Sequence, residues 1–513
     1  MSFFNKKNKK NNQNKANKSD SNANPVKPTI DLSEQTEKLP RSYEERLQLI
    51  EELIQTDDLK GIKLEEQGIS CYFLTTIIDL KRFNDEIAPR LQEWVDFPEK
   101  WHILFPQAVL RDTTADTVTD LLEGHIVMNH RGLHGQAVTL SMLSIKSRAV
   151  EKPDNEKMIL GPKESFTEDL ETNIGLTRRW LKDPNMVFHY FQVGERSKTR
   201  VAVGFIRDIT NPDWVHEIET NLKKINIDRI IGHKDVMDLI IGKTNTPFPL
   251  YELTELPARI VFDLSEGRIA ILVDGSPFSA ILPCPLLSMY IGSEYVMQGG
   301  IIPLFVRSIR VVAAFLALYA PAFYVALVSI NSSIIPVETG VVLAADQLGI
   351  PYPTVIEALL LFIILDIFIE ASTYVPGAIG PAMNIVGSLI IGQAASQAHL
   401  VSHVIIIVSA ITAVGTYVTL YQLSMPIRIW KYPLIIAAAV LGLYGIIGCT
   451  VILIAHLCGL KSLGVPYLSP FAPLRWKDLL NGAIWDKDRS ESKKRLSMFK
   501  AQDKVRQEGD PDA

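Results

Sequence analysis

Three carboxylates stand in an otherwise apolar run. Glu357, Asp366 and Glu370 punctuate "VIEALLLFIILDIFIE", residues 355–370. On a helix, Asp366 and Glu370 are one turn apart and share a face, and Glu357 falls roughly opposite. Ionisable groups at membrane depth are costly and face a cavity or a partner. Repeated around a symmetric ring, such acids would attract cations, whereas at a bilayer surface they would be hydrated. Immediately downstream, Ala371 to Ile427 contains no Asp, Glu, Lys or Arg. Within it, Asn384, Ser388, Gly392, Ala395 and His399 cluster within about 80° of one another at 100° per residue. Two readings fit this stripe. Small residues let helix backbones approach closely in lipid. Asn, Ser and His can also replace the water around a passing ion. The stripe and the three acids are the candidate pore-lining and gating residues, and the choice between packing and pore stays open.

Other reactive residues offer less. There is no Walker loop, GxGxxG after a strand, HExxH or GxSxG. His130 and His134 are four apart in "HRGLHGQ", but the glycines between them favour a loop over a helix. "VDGSP", Val273 to Pro277, reads as a hairpin turn rather than a phosphate loop. The four cysteines, Cys71, Cys284, Cys449 and Cys458, form no CxxC pair, so neither a disulfide framework nor a zinc site is expected. No metal, cofactor or nucleic-acid partner is implied. An enzyme would need a nucleophile with a base, or a metal site, and neither appears.

The elements that must position these residues fall into blocks. Residues 1–40 open with six lysines and one acid among asparagines in the first twenty, and read as a disordered basic arm. Residues 41–150 and 151–300 read as two cytosolic α/β subdomains, with strands alternating with helices. "SYEERLQLIEELIQ", "KRFNDEIAPRLQEW", "FTEDLETNIGLTRRWL" and "PDWVHEIETNLKKI" are expected helices. "ISCYFLTTIIDL", "MVFHYFQVG" and "RVAVGFIRDI" are expected strands, and "RIVFDL" with "RIAILVDGSPFSAILP" an expected strand pair. Residues 301–460 read as a helical membrane domain and 461–513 as a basic cytosolic tail. The fold class is thus a two-lobed α/β soluble domain followed by an α-helical multi-pass transmembrane domain.

Five candidate spans are visible: 311–330, 355–370, 383–400, 403–423 and 433–458. Arg307 and Arg310 precede the first, and the following loop, 331–354, has no Lys or Arg. The positive-inside bias therefore puts both the front domain and the basic tail inside. Two inside ends need an even number of crossings, which makes 355–370 the expected partial or re-entrant segment. "RIWKY", with Arg428 and Lys431, would then fall outside, against the same bias. No inverted repeat of broken helices points to a lone transporter.

"SEGRIAILVDGSPFSAILP", "LYAPAFYVAL", "IPYPTVIEALLL", "YVPGAIGPAMNIVGSLIIGQAA" and "HLCGLKSLGVPYLSPFAP" together resemble the A subunits of bacterial spore germinant receptors, over about residues 40–485. The resemblance implies a nutrient-gated cation channel in the spore inner membrane. It implies a permease-like B subunit and a lipoprotein C subunit as partners, and a homo-oligomeric ring, a pentamer, of the chain itself. Membrane lipid and monovalent cations would surround and cross it, with the front domain and the tail on the spore-core side. A non-conducting scaffold, or the related subunit associated with the dipicolinic-acid release channel, are the alternatives it leaves. The chain departs from the family pattern at "ELPA" (Glu255 to Ala258), where relatives read Glu-Arg-Pro-Asp, and at Ile369 and Tyr374, where relatives carry arginines.

Overall fold

The computed structural model describes residues 37–502 except 65–66, 144–163, 243, 291–300, 374–386, 388–389, 391, 420 and 479–494. In the first lobe, α1 (Tyr43–Leu53) buries Tyr43, Ile50 and Leu53 along one face. Strands β1 (Leu59–Leu64), β2 (Ile69–Leu74), β3 (Val109–Arg111), β4 (His125–His130) and β5 (Ala137–Ser141) form a sheet in the order β1-β2-β4-β5-β3. All its pairings are antiparallel. Helices α2 (Ala88–Trp94) and α3 (Thr114–Leu122) complete the lobe. Trp94, Phe105, Val118 and Leu121 join the strands in one core. The loop between β4 and β5 holds "HRGLHGQ", and His130 is spent internally. Its Nδ1 accepts from the Gly132 N–H at 2.8 Å, and its Nε2 lies 3.2 Å from the Val95 carbonyl.

The second lobe repeats the scheme. Helix α4 (Leu170–Trp180) is capped by Asp169, which accepts the Thr172 N–H. Strands β6 (Met186–Val193) and β7 (Thr199–Ile206) follow, then α5 (Pro212–Lys224) and α6 (His233–Ile241). β8 (Glu252–Thr254), α7 (Pro257–Ser265), β9 (Ile269–Val273) and β10 (Ser279–Leu282) close it, in the sheet order β6-β7-β9-β10-β8. One expectation is corrected here. "RIVFDL" is not a strand but most of α7. Pro257 starts the helix where its missing N–H costs nothing. Ile260 and Leu264, one turn apart, are buried together. The strand pair is β9 with β10, and "VDGSP" turns between them with Gly275 at φ 82°.

A buried ion pair fastens the lobes. Arg178 on α4 donates from Nε and Nη2 to the two Asp58 carboxylate oxygens, both at 2.7 Å. Thr56 and Thr76 donate to the same carboxylate at 2.5 and 2.9 Å. Burial pushes the Asp58 carboxyl up, and the Arg178 guanidinium more than offsets it, so the net shift is down. Gly175 lies so close to the Thr76 carbonyl that a Cβ there would collide with it.

The helical part begins with α8 (Ile301–Ser329) and a short exposed helix, α9 (Val337–Gln347). Then come α10 (Thr354–Thr373), α11 (His403–Val418), α12 (Tyr421–Leu441) and α13 (Leu443–Gly459). The expected spans 403–423 and 433–458 are therefore redrawn as three helices. Their boundaries lie at Thr419, which is extended, and at Gly442, whose φ of 61° breaks the helix. Residues 355–370 belong to a 20-residue helix, about 30 Å long. Two helices, Leu304–Ser329 and Gln422–Leu441, are long and apolar enough to cross a membrane, and His403–Val418 and Leu443–Gly459 are shorter apolar helices.

These helices run between two ends. At the near end, against the second lobe, Gln422 of α12 donates to the Leu253 carbonyl of β8 at 2.8 Å. Thr246 meets His456 of α13 at 2.9 Å. At the far end, the Leu443 N–H at the α12–α13 turn donates to Asn331 Oδ1, just past α8, at 3.0 Å. Tyr324 of α8 bonds Ser402, the cap of α11, at 2.8 Å. α10 starts at the far end beside Ser402 and finishes beside α12 towards the near end. Five described helices, α8, α10, α11, α12 and α13, therefore run between these two ends. Residues 392–397 are helical and lie between α10 and α11 in the sequence. Arg428 lies in the half of α12 nearer the second lobe, and Lys431 at its middle.

Candidate functional site

The acids of α10 do not share one environment. Asp366 faces α12 and is gripped by it. Lys431 Nζ lies 3.2 Å from both Asp366 oxygens. Arg428 donates from Nε to Oδ1 at 3.2 Å and from Nη2 to the Asp366 carbonyl at 3.0 Å. The Tyr432 hydroxyl donates to Oδ2. Glu370, one turn on, lies 3.9 Å from Arg428 Nη1. Two carboxylates thus meet two cations, and the group is formally neutral. Lys431 is buried and lies over the Phe362 ring, a further attraction for its charge. Neutrality matters because an unpaired buried charge costs several kcal/mol.

Glu357 has different company. It is buried, and its Oε1 accepts the Ser402 N–H at 2.5 Å. Its Oε2 is buried without a hydrogen-bond partner among the described residues. Asp346, at the end of α9, accepts the Val404 N–H at 3.3 Å and pairs with His403 at 2.5 Å. Ser402 accepts the Ile405 N–H at 3.4 Å. The start of α11 is therefore held by two carboxylates and a serine, matched to the positive end of its dipole.

The small-residue stripe is partly in view. Asn384 and Ser388 lie outside the described residues. Gly392 is buried, and a Cβ on it would sit 3.1 Å from Ile406 of α11. Gly387 similarly faces Phe368 of α10 at 3.0 Å. Ala395 is half-buried against the helical core. Ser396 is buried with its hydroxyl unpartnered. His399 is exposed in a turn with φ 53°. The stripe residues in view thus pack on neighbouring helices through Gly392 and Ala395, and His399 sits at its far end.

The sequence reading missed Arg428, Lys431 and Tyr432 as partners of the acids. A signal existed. Arg428 and Lys431 are three apart and present one helical face, as Asp366 and Glu370 do at four. It was hidden because the two segments are some sixty residues apart and no local pattern pairs them. The sequence reading also missed the junction between lobe and helices. Glu252, Arg259, Asp263 and Arg268 form a buried ring of ion pairs at 2.7–3.0 Å. Arg268 also donates to the Pro283 carbonyl at 3.0 Å, and Arg259 to the Ser288 carbonyl at 3.3 Å. The ring thereby holds the segment that leads to α8. Cys284 lies in the same junction, where burial pushes its thiol up to about 12.

Comparison with known proteins follows this geometry. The family model described as Bacillus/Clostridium GerA spore germination protein matches residues 44–498. The chain is 36% identical over 393 residues to spore germination protein KA of Bacillus subtilis (strain 168), covering 76% of this chain and 71% of that one. It is 33% identical to spore germination protein GerLA of Bacillus cereus, covering 72% and 75%. It is 29% identical to spore germination protein A1 of Bacillus subtilis (strain 168), covering 85% and 92%. Among solved structures, the N-terminal domain of the A subunit of the Bacillus megaterium spore germinant receptor GerK3 aligns at 26% identity with a TM-score of 0.36, covering 48% of this chain and 97% of that one.

Proposed function

The chain belongs to the Bacillus/Clostridium GerA spore germination protein family, and from that premise we propose that it is the A-type membrane subunit of a spore germinant receptor. In this reading it sits in the spore inner membrane with a permease-like B subunit and a lipoprotein C subunit. The five long helices and the segment between Thr373 and Ser402 would make six crossings of the bilayer, with both lobes and the tail on the core side. The exposed apolar faces support this placement. Phe305, Val312 and Phe315 of α8, Val440 of α12 and Val451 of α13 are all exposed. Only 33% of the most apolar window of α8 is buried, whereas a soluble core helix would be mostly covered.

The finer proposal is that copies assemble as a ring, a pentamer, around the 383–398 segment and form a nutrient-gated cation channel. Asn384, Ser388, Gly392, Ala395 and His399 would line its path. The observation that carries this is the clamp on Asp366 and Glu370. It fixes the end of α10 to α12 immediately before the uncharged segment begins at Ala371, so a shift of α12 would move the segment. α12 is itself tied to the lobe through Gln422 and Leu253. A second reading, a non-conducting scaffold, is favoured by Gly387 and Gly392, which pack against Phe368 and Ile406 of the same chain.

Potassium release from spores decides between them. Spores carrying Ser388→Phe or Gly392→Leu, at matched protein levels, are expected to release potassium at least several-fold more slowly on nutrient addition, or to leak without it. Normal release from both variants leaves the segment as packing and favours the scaffold.

A further inference from the structure

Of the three acids in α10, one meets no cation among the described residues. Asp366 and Glu370 face Lys431 and Arg428. Glu357 is only 2% exposed, and its Oε2 meets no donor. The sequence that joins α10 to α11 and α12, Ala371 to Ile427, contains no Lys or Arg. Around Glu357 stand Tyr324 of α8, Asp346 of α9, and Ser402 and His403 of α11. Asp346 adds a second negative charge, and its contact, His403, is largely exposed. The α11 N-terminus offers only about half a positive charge. Charge and oxygen chemistry therefore leave about one positive charge missing, next to hard oxygen ligands.

We propose that the Glu357 carboxylate, at the far end of the helices beside the start of α11, is a binding site for one monovalent alkali cation. A bound ion would neutralise Glu357 Oε2 and tie α10 to the α11 start. Occupancy would then depend on the compartment at the far end rather than on the second lobe. The inference extends the channel reading by naming one cation site. Its test reads binding instead of efflux, so the two can fail separately.

The test uses the full-length chain, purified in choline chloride and reconstituted in neutral-lipid nanodiscs. Thermal unfolding is followed as KCl replaces choline chloride at constant ionic strength. Wild type is expected to gain roughly 2–4 °C. Asp366→Asn, which alters a partnered acid, keeps the same gain on its own baseline. Glu357→Gln, which keeps the Oε1 acceptor and removes the charge, loses the gain, and Glu357→Asp keeps a weaker one if Glu357→Gln does not fold. An equal gain in Glu357→Gln overturns the proposal. So does a wild type that ignores potassium and responds to pH alone, because the site then holds a proton.

Discussion

At the residue scale, the buried charges where the lobes meet compensate each other, and the compensation can be tested. Asp58 and Arg178 are both fully enclosed where the lobes meet. Arg178→Met strands the Asp58 carboxylate and should cost about 3–5 kcal/mol, read by chemical unfolding of the soluble lobes within the full chain. Asp58→Leu combined with Arg178→Met removes both charges and should recover most of that loss. The pair also sets a pH signature. The folded Asp58 carboxyl lies below its ordinary value. Its contribution is therefore complete above the ordinary carboxylate range near pH 4, and it is lost as pH falls through the lower folded value. The double variant should show a shallower acid-side loss of stability than wild type. Equal acid slopes in the two proteins would remove Asp58 from that account.

At the element scale, the α12–α13 hairpin depends on one backbone angle. Gly442 has a φ of 61°, and its N–H still closes the last turn of α12 onto the Ala438 carbonyl. A Cβ there would also collide with the Asn331 side chain that accepts the Leu443 N–H. Gly442→Ala should therefore cost roughly 1–2 kcal/mol from the left-handed conformation alone. The collision adds to that figure. Thermal unfolding in detergent measures the loss, and Gly448→Ala, where a Cβ meets nothing within 4 Å, is the matched control. A loss no greater than the control would mean that the hairpin tip relaxes freely. Helix type was legible at this scale because apolar period and caps are local. α7 was misread because "RIVFDL" is β-branched and short, and its helical state is decided by Pro257 before it and the packing of Ile260 and Leu264 beneath it.

At the scale of the whole molecule, the proposed six crossings predict which positions face which compartment. Single cysteines, placed in a chain with its four native cysteines replaced, should react with an impermeant maleimide according to end. Val337, on α9 at the far end, is exposed and should be labelled from outside intact vesicles. Lys224, at the end of α5 in the second lobe, should be labelled only after permeabilisation. A cysteine at Arg428 should also resist outside labelling, as the near half of α12 requires. Labelling of position 428 from outside would return "RIWKY" to the far side and overturn the six crossings.

Local chemistry was determined by the sequence itself. The uncharged stretch from Ala371 to Ile427, the acids of α10, the amphipathic helices of both lobes and the hairpin at "VDGSP" follow from residue type and period, which act over a few neighbours. The family motifs lie along most of the chain for the same reason. Tertiary structure decided what those residues meet. It gave Asp366 its cations from α12 and left Glu357 with a helix start. It divided one long apolar stretch at Gly442, and it joined the lobes through Asp58 and Arg178, 120 residues apart. Charge pairing and pass number depend on contacts between distant segments, and a single chain without its fold carries no record of which distant segments meet.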